Sequence, residues 1–339
     1  MSACHHQRSA LNKIMLLTTG GTIASTAAED GRSAAGALSG ETLAAQISLP
    51  SGLSLGVRSV FQKPSNAVTL DDLCTLRAQC QALIDEGGLA GIAITHGTDT
   101  LEDTAWFLES TLDTRGLPVV ITGSQRVPHA PGTDAFVNLR NAILVAAHPD
   151  ARDLGVLVAF NESIFAAGTA RKVSSFQVNG FGAPGLGCLG VIDNENLTLY
   201  QRPVRLPVLP AGSLRELPPV DIIATSLGAR PALLEAAVQA GARGLVIDGL
   251  GRGHVPPEWM PAVRAAIAAG VVVLVCSSTL HGPLYQTYDF TGSLHELETA
   301  GAIGVSNLTA RKARLRLAIL LGTGVHQPQA LRDAFETRT

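Results

Sequence analysis

The chain has 339 residues, too many for a single ordinary hydrophobic core, so its length implies two domains. Hydrophobic residues make up 46% of it and charged ones 16%, with a formal net charge of -3 and no run of basic residues. Such a composition belongs to a well-buried globular protein; it excludes a disordered chain and offers no basic face to a nucleic-acid partner.

No apolar stretch reaches the roughly 20 residues that a membrane-spanning helix needs, so no membrane partner is expected. The segment from Met1 to Lys13 is polar, and the apolar run Ile14–Leu17 is too short for the core of a signal peptide. A cytoplasmic location is therefore expected. Five cysteines (Cys4, Cys74, Cys80, Cys188 and Cys276) form an odd, scattered set without a CxxC pair. They read as free thiols of a reducing compartment, with neither a disulfide framework nor a metal site indicated.

Short apolar runs alternate with helical patterns along the chain. Lys13–Thr18 reads as a buried strand followed by the turn Thr19–Thr22. Thr69–Glu86 has helical spacing, with Thr69 and Asp72 placed as a capping box and Gly87–Gly88 as its stop. Leu89–Thr95 is the next strand, then the loop His96–Thr100, then a helix from Leu101 for which Thr100 and Asp103 again have capping-box spacing. Strand Pro118–Thr122, helix Asp134–Ala147 and strand Gly155–Phe160 follow. Between Gln201 and Pro219 five prolines interrupt the pattern, which marks a linker.

Beyond it come strand Val220–Thr225, helix Pro231–Gln239, strand Gly244–Asp248, helix Pro261–Ala269, strand Val271–Cys276 and a final helix over Thr309–Leu321. The strands are rich in Val, Ile and Leu without polar alternation, as in mostly parallel sheets covered on both faces. The expected architecture is α/β in two domains. A larger N-terminal domain spans 1–200, a linker 201–219, and a smaller, flavodoxin-like C-terminal domain 220–339.

Ligands of open parallel sheets bind beyond the carboxyl ends of the strands. Two such ends carry hydroxyls that packing does not require: Thr18-Thr19-Gly20-Gly21-Thr22-Ile23-Ala24-Ser25 and Thr95-His96-Gly97-Thr98-Asp99-Thr100. Taken alone, the first could be a tight glycine turn or a phosphate cradle, although neither GxGxxG nor GxxxxGK[ST] occurs here. In the second, Asp99 could cap the following helix, and His96, a single histidine without a partner, reads as structural.

Together the two loops resemble the signatures of the bacterial-type L-asparaginase family. Thr19-Gly20-Gly21-Thr22-Ile23-Ala24 is similar to the first, and Ile94-Thr95-His96-Gly97-Thr98-Asp99-Thr100 to the second. Further similar segments are Leu101–Leu108, Thr122–Arg126, Asn138–Ala142, Gly155–Val158 and Leu308–Arg314, so the resemblance covers nearly the whole chain. Lys172 falls eleven residues after Asn161, as the family's buried lysine does after its own asparagine.

The resemblance implies an amidohydrolase that cleaves the side-chain amide of L-asparagine without a cofactor. It implies Thr22 as the nucleophile, and Thr98, Asp99 and Lys172 as a second catalytic group. Ser65, Asn66, Asp99, Thr98 and Ser124 would bind the substrate. It also implies a homo-oligomer, dimer or tetramer, whose active sites are completed by a neighbouring subunit. Arg252, His254, Tyr285 and Tyr288 are the candidates for that contribution.

Two departures stand out. The family's lid-loop tyrosine has no counterpart, since Ser33 falls at or near its position and no tyrosine precedes Tyr200. Arg252 and His254 stand where the family often carries small amides. A glutaminase-asparaginase and a catalytically weak amino-acid-binding homologue are the alternatives these departures leave open.

Overall fold

A computed structural model of the chain describes residues 12–27, 33–34, 36–211, 214 and 216–336. The chain divides into two compact units: residues 1–183 with 187–203, and residues 184–186 with 204–339. Both are α/β, with a large, mostly parallel sheet in the first and a smaller parallel sheet in the second. No helix among the described residues is long and apolar enough to cross a membrane.

The first unit is built on eight strands: β1 (Lys13–Gly20), β2 (Ser54–Lys63), β3 (Gly91–Thr95), β4 (Val119–Thr122), β5 (Val156–Phe160), β6 (Ser163–Ala166), β7 (Gly190–Asp193) and β8 (Asn196–Leu199). They lie in the order β8-β7-β6-β5-β4-β3-β1-β2. From β2 to β5 the pairing is parallel; β5 to β8 are antiparallel.

Every residue of β3, β4 and β5 is buried, which accounts for the continuous apolar runs: helices cover both faces, so no position alternates outward. One core cluster joins Ile14, Leu16, Ala93, Val120 and Leu157 of the sheet to Leu139, Ala142 and Ile143 of the helix over Ala135–Ala147. Truncating any of its fully buried Leu or Ile side chains to Ala costs about 2–5 kcal/mol.

The register brings Thr18, Thr95 and Thr122 into line across β1, β3 and β4, at the carboxyl edge where the loops emerge. The helix over Leu70–Glu86 starts as the sequence predicts. Thr69 Oγ1 accepts from Asp72 N at 3.2 Å while Asp72 Oδ2 accepts from Thr69 N at 2.8 Å. The second expected capping box does not form. Thr100 is the N-cap residue of the helix over Leu101–Thr111, yet its hydroxyl makes no cap bond and donates to the Ser65 carbonyl at 2.8 Å.

The antiparallel edge is absent from the sequence reading. β5 and β6 are joined by Asn161 and Glu162, both at positive φ (48° and 62°), in a two-residue turn that pairs Phe160 with Ser163. Left-handed backbone at both central positions usually calls for Asn, Asp or Gly. Glu162 hides the signal.

The second unit carries four parallel strands, Val220–Ala224, Gly244–Gly249, Val272–Ser277 and Ile303–Gly304, paired in that sequential order. Trp259, Val263 and Leu297 are fully buried in its core. After the expected long helix (Ala310–Gly322) comes a further one, Pro328–Phe335, whose buried Leu331 and Phe335 are four residues apart. Two anchors in one short helix are too few to register as periodicity.

Candidate active site

Loops after β1, β2, β3 and β4, at the carboxyl edge of the first unit's sheet, form the candidate site together with a short hairpin that carries Lys172. The loop after β1 turns on Gly20 and Gly21, both at positive φ (98° and 82°), and delivers Thr22 as the first residue of a 3-10 turn (Thr22–Ala24). The Ser25 hydroxyl, donating to the Gly21 carbonyl at 3.2 Å, closes that turn from the side. Thr22 is half-buried, and its hydroxyl bonds to no other described residue. Ser33, near the position of the family's lid tyrosine, belongs to a two-residue strand paired with Thr26–Ala27.

The loop after β3 passes directly against this first loop. A Cβ placed on Gly21 would stand 2.4 Å from both the N and the Cα of Gly97, so the two segments touch backbone to backbone. His96, beneath them, is fully buried. Its Nδ1 lies 2.8 Å from the Gly97 carbonyl, which can only accept, so Nδ1 carries the proton. Nε2 is then left to accept from the Thr104 hydroxyl at 3.1 Å. Burial pushes the His96 ring down to about 4, against a smaller upward pull from the Gly97 bond. Burial thus favours the neutral ring, which Gly97 and Thr104 hold in place.

Thr98 is buried and Asp99 exposed. Lys172 joins them: its Nζ donates to Thr98 Oγ1 at 2.8 Å and to Asp99 Oδ1 at 2.7 Å. The N-cap residue of the following helix is Thr100, the next in the chain. Only 17% of the Lys172 side chain is exposed, against 68% of Asp99. Lys172 reaches this point from a short hairpin in which it pairs with Phe181. Its backbone N–H is fixed by Glu102 Oε2 at 2.6 Å, from a carboxylate that is itself buried.

Ser65 stands on the other side. It begins a 3-10 turn over Ser65–Ala67 and is 5% exposed. Its Oγ accepts from the Asp99 N–H at 3.2 Å, which leaves its own proton to give away. Neighbouring Asn66 is exposed, and its side chain bonds to no other described residue.

The loop after β4 contributes Ser124. Its hydroxyl donates to the Arg126 carbonyl at 2.7 Å, so its proton is already engaged. A Cβ on preceding Gly123 would meet the His96 carbonyl at 2.5 Å and Thr98 Cγ2 at 3.3 Å, which seats this loop against Thr98. Direct bonds thus unite Ser65, Thr98, Asp99 and Lys172, and backbone packing brings the Thr22 and Ser124 segments alongside.

Three residues that hold this arrangement have no role in the sequence reading. Asp134 accepts from the backbone N–H of Gln125 and of Arg126, both at 2.9 Å. Asn138 donates to the Gly123 carbonyl at 3.0 Å and accepts from Asn161 N at 3.0 Å. Glu102 fixes Lys172. Asp134 looks like an ordinary helix cap in sequence; its side chain instead reaches back into the preceding loop.

Comparison with known proteins decides the family. The family model for the asparaginase N-terminal domain matches residues 13–205, and that for the glutaminase/asparaginase C-terminal domain matches residues 219–335. The chain belongs to the asparaginase family. It is 41% identical over 323 residues to an L-asparaginase of Bacillus licheniformis, covering 95% of this chain and 98% of that protein. It is 31% identical over 272 residues to a glutaminase-asparaginase of Pseudomonas aeruginosa, covering 78% of this chain and 75% of the other. Its fold matches the crystal structure of a probable cytoplasmic L-asparaginase from Campylobacter jejuni with a TM-score of 0.86 at 27% identity, covering 96% of this chain and all of that one. Membership makes the protein an amidohydrolase.

In the C-terminal unit of this asparaginase-family chain, Arg252 lies over the Tyr285 ring (5.9 Å to the centroid) and donates to Thr287 Oγ1 at 3.4 Å. Both Arg252 and Tyr285 line a cavity of about 350 Å³ with Ser277 and Thr279. His254 packs edge-on against Tyr288 and Phe290 and accepts from Leu294 N at 3.2 Å. Burial, and then the Arg252 charge, lower its proton affinity.

Proposed function

We propose that the protein is an L-asparaginase, hydrolysing L-asparagine to L-aspartate and ammonia through a threonine nucleophile. The observation that carries this reading is the contact of Lys172 with Thr98 and Asp99, beside the Thr22 loop, in a chain of the asparaginase family.

In this reading the Thr22 Oγ attacks the carboxamide carbon. The C–N bond breaks, a proton goes to the departing nitrogen, and ammonia leaves an acyl-enzyme ester on Thr22. Water then attacks the ester carbon and Thr22 recovers its proton as aspartate departs. A neutral hydroxyl needs help to react. Thr98 and Lys172 supply a proton path, the lysine taking the Thr98 proton when its own ammonium has been discharged. The Thr98 backbone N–H serves as an oxyanion donor, a contact worth ~3 kcal/mol in acyl transfer. Asp99, an accessible carboxylate, binds the α-ammonium. Ser65 donates to the α-carboxylate with Asn66 beside it, and the Ser124 carbonyl accepts from the substrate amide.

A homo-oligomer with shared sites is part of the proposal, with Arg252, His254, Tyr285 and Tyr288 offered to the neighbouring copy. Cytoplasmic residence is another part, supported by the likeness to the probable cytoplasmic L-asparaginase of C. jejuni and by four free thiols among the described residues. Mixed amide specificity is the second reading, favoured by the P. aeruginosa relative. One extra methylene separates the two substrates, a difference that a pocket turns into about 1–3 kcal/mol.

Ammonia release from L-asparagine and from L-glutamine, measured side by side, tests both. Turnover of asparagine at least tenfold above glutamine in kcat/KM is expected. Comparable values would establish the mixed enzyme. Aspartate binding without turnover of either amide would leave an amino-acid-binding homologue.

A further inference from the structure

Gln125 has no part in the reaction as drawn, yet its carboxamide lies against the reacting group. Thr98 Oγ1 donates to Gln125 Oε1 at 3.4 Å, and Gln125 Nε2 donates to the Ser174 carbonyl at 3.0 Å. The amide is thus oriented by its far end: the Ser174 carbonyl can only accept, so it selects Nε2 and turns Oε1 toward Thr98. The chain is held at its near end too, since the Gln125 N–H is bound by Asp134. Space for the carboxamide exists because residue 180 is glycine. A Cβ there would fall 2.0 Å from Gln125 Nε2 and 2.9 Å from Cδ.

A hydroxyl has one proton and two lone pairs. At Thr98 the Lys172 ammonium occupies one lone pair and Gln125 receives the proton. We propose that Gln125 is a positioning residue for the reaction, holding the Thr98 proton away from Lys172 in the resting site. This rests on the catalytic reading of Thr98 and Lys172 given above. When Lys172 has lost a proton, the Thr98 hydroxyl rotates about its Cβ–Oγ bond and donates to the lysine nitrogen instead. The Gln125 bond is long, so releasing it costs little. A neutral acceptor suits this task. A carboxylate in the same place would grip the hydroxyl proton more tightly and favour the charged form of the nearby ammonium, delaying base function to higher pH.

Three variants read the proposal: Gln125→Glu, isosteric but charged; Gln125→Leu, without an acceptor; and Gly180→Ala, which displaces the carboxamide from a residue not placed in the catalytic machinery. Asparagine hydrolysis would be followed from pH 5 to 10, with L-aspartate binding measured by calorimetry. Gln125→Glu is expected to move the acid limb of kcat/KM upward by about one pH unit. Gln125→Leu and Gly180→Ala are expected to lower kcat by about tenfold while aspartate affinity stays within about threefold. A Gln125→Glu profile superimposable on the wild type overturns the proposal, as do kcat and aspartate affinity falling in parallel, the mark of a merely structural role.

A readout independent of turnover is the side-chain amide resonance of Gln125, identified by its loss in Gln125→Leu. It is expected to shift in Thr98→Val, and an unmoved resonance overturns the contact whatever the activity. If the wild type releases no ammonia while that resonance responds, the functional reading falls together with the catalytic half of this proposal, and the contact stands.

Discussion

Gly21 and Gly97 pack backbone against backbone where the Thr22 loop meets the Thr98 loop. Gly21 needs its glycine twice over, for a φ of 82° and for this contact. Gly97 needs it for space alone: a Cβ would meet Ser65 Cβ at 2.7 Å and Oγ at 2.8 Å, and Ser65 is tied down by Thr100. Gly97→Ala is therefore expected to push Ser65 and the Thr22 loop off the Thr98 loop without emptying the core. Displacements near 1 Å cost on the order of 100-fold in oriented reactions. A kcat/KM lowered by at least ~30-fold in a variant with wild-type circular dichroism is the expected result. Near-normal turnover would mean that the two loops need not touch.

The same geometry sets what removal of the reacting groups should do. Thr22→Ala and Lys172→Met are each expected to cut turnover by at least ~100-fold, the scale of a lost nucleophile or general base. The two differ in a second measurement. Lys172→Met also removes the ammonium bound to Asp99, so aspartate binding should change in that variant and remain near wild type in Thr22→Ala. Full activity in either one removes that residue from its role.

Much of this was legible in the sequence because the reacting residues sit in short contiguous loops behind strands whose burial leaves an unmistakable apolar run. Thr22, Thr98 and Asp99 fall in two such loops, and the capping box of Thr69 and Asp72 is a local device that local spacing predicts. What escaped depends on partners far along the chain. Thr100 looks like a capping residue until Ser65, thirty-five positions earlier, takes its hydroxyl. Glu102 has the look of first-turn acid on a helix, and only the fold sets it against Lys172, seventy residues later. The β5–β6 hairpin was invisible for a different reason: Glu162 adopts a backbone conformation its residue type disfavours.

Association is the next expectation. The C-terminal unit leaves Leu227, Leu233, Tyr285, Tyr288 and Phe290 about half exposed or more, apolar surface that a contact between copies would bury. Sedimentation at assay concentration is expected to give a species of at least twice the chain mass. Substituting Leu227 and Leu233 by Glu should shift it to smaller ones if those two side chains carry the contact. An active monomer would contradict the shared-site reading.

His96 gives the protein a calculable sensitivity to acid. Its ring is fully buried, with a folded-state value of about 4, below the roughly 6.5 of an unfolded histidine. Between those two values the unfolded chain binds a proton that the folded one refuses, so stability is fully present above about pH 6.5 and declines as pH falls toward 4. For one such group the loss is about 2 kcal/mol by pH 5. Other groups titrate in the same window, so the test is a difference: urea unfolding at pH 7 and at pH 5, for the wild type and for His96→Gln. The variant should start less stable at pH 7, having lost the imidazole's bonds to Gly97 and Thr104, yet decline less on acidification. Equal pH slopes would mean that the folded ring takes up its proton as readily as the unfolded one, and would reopen a role for it as a base beside Thr98.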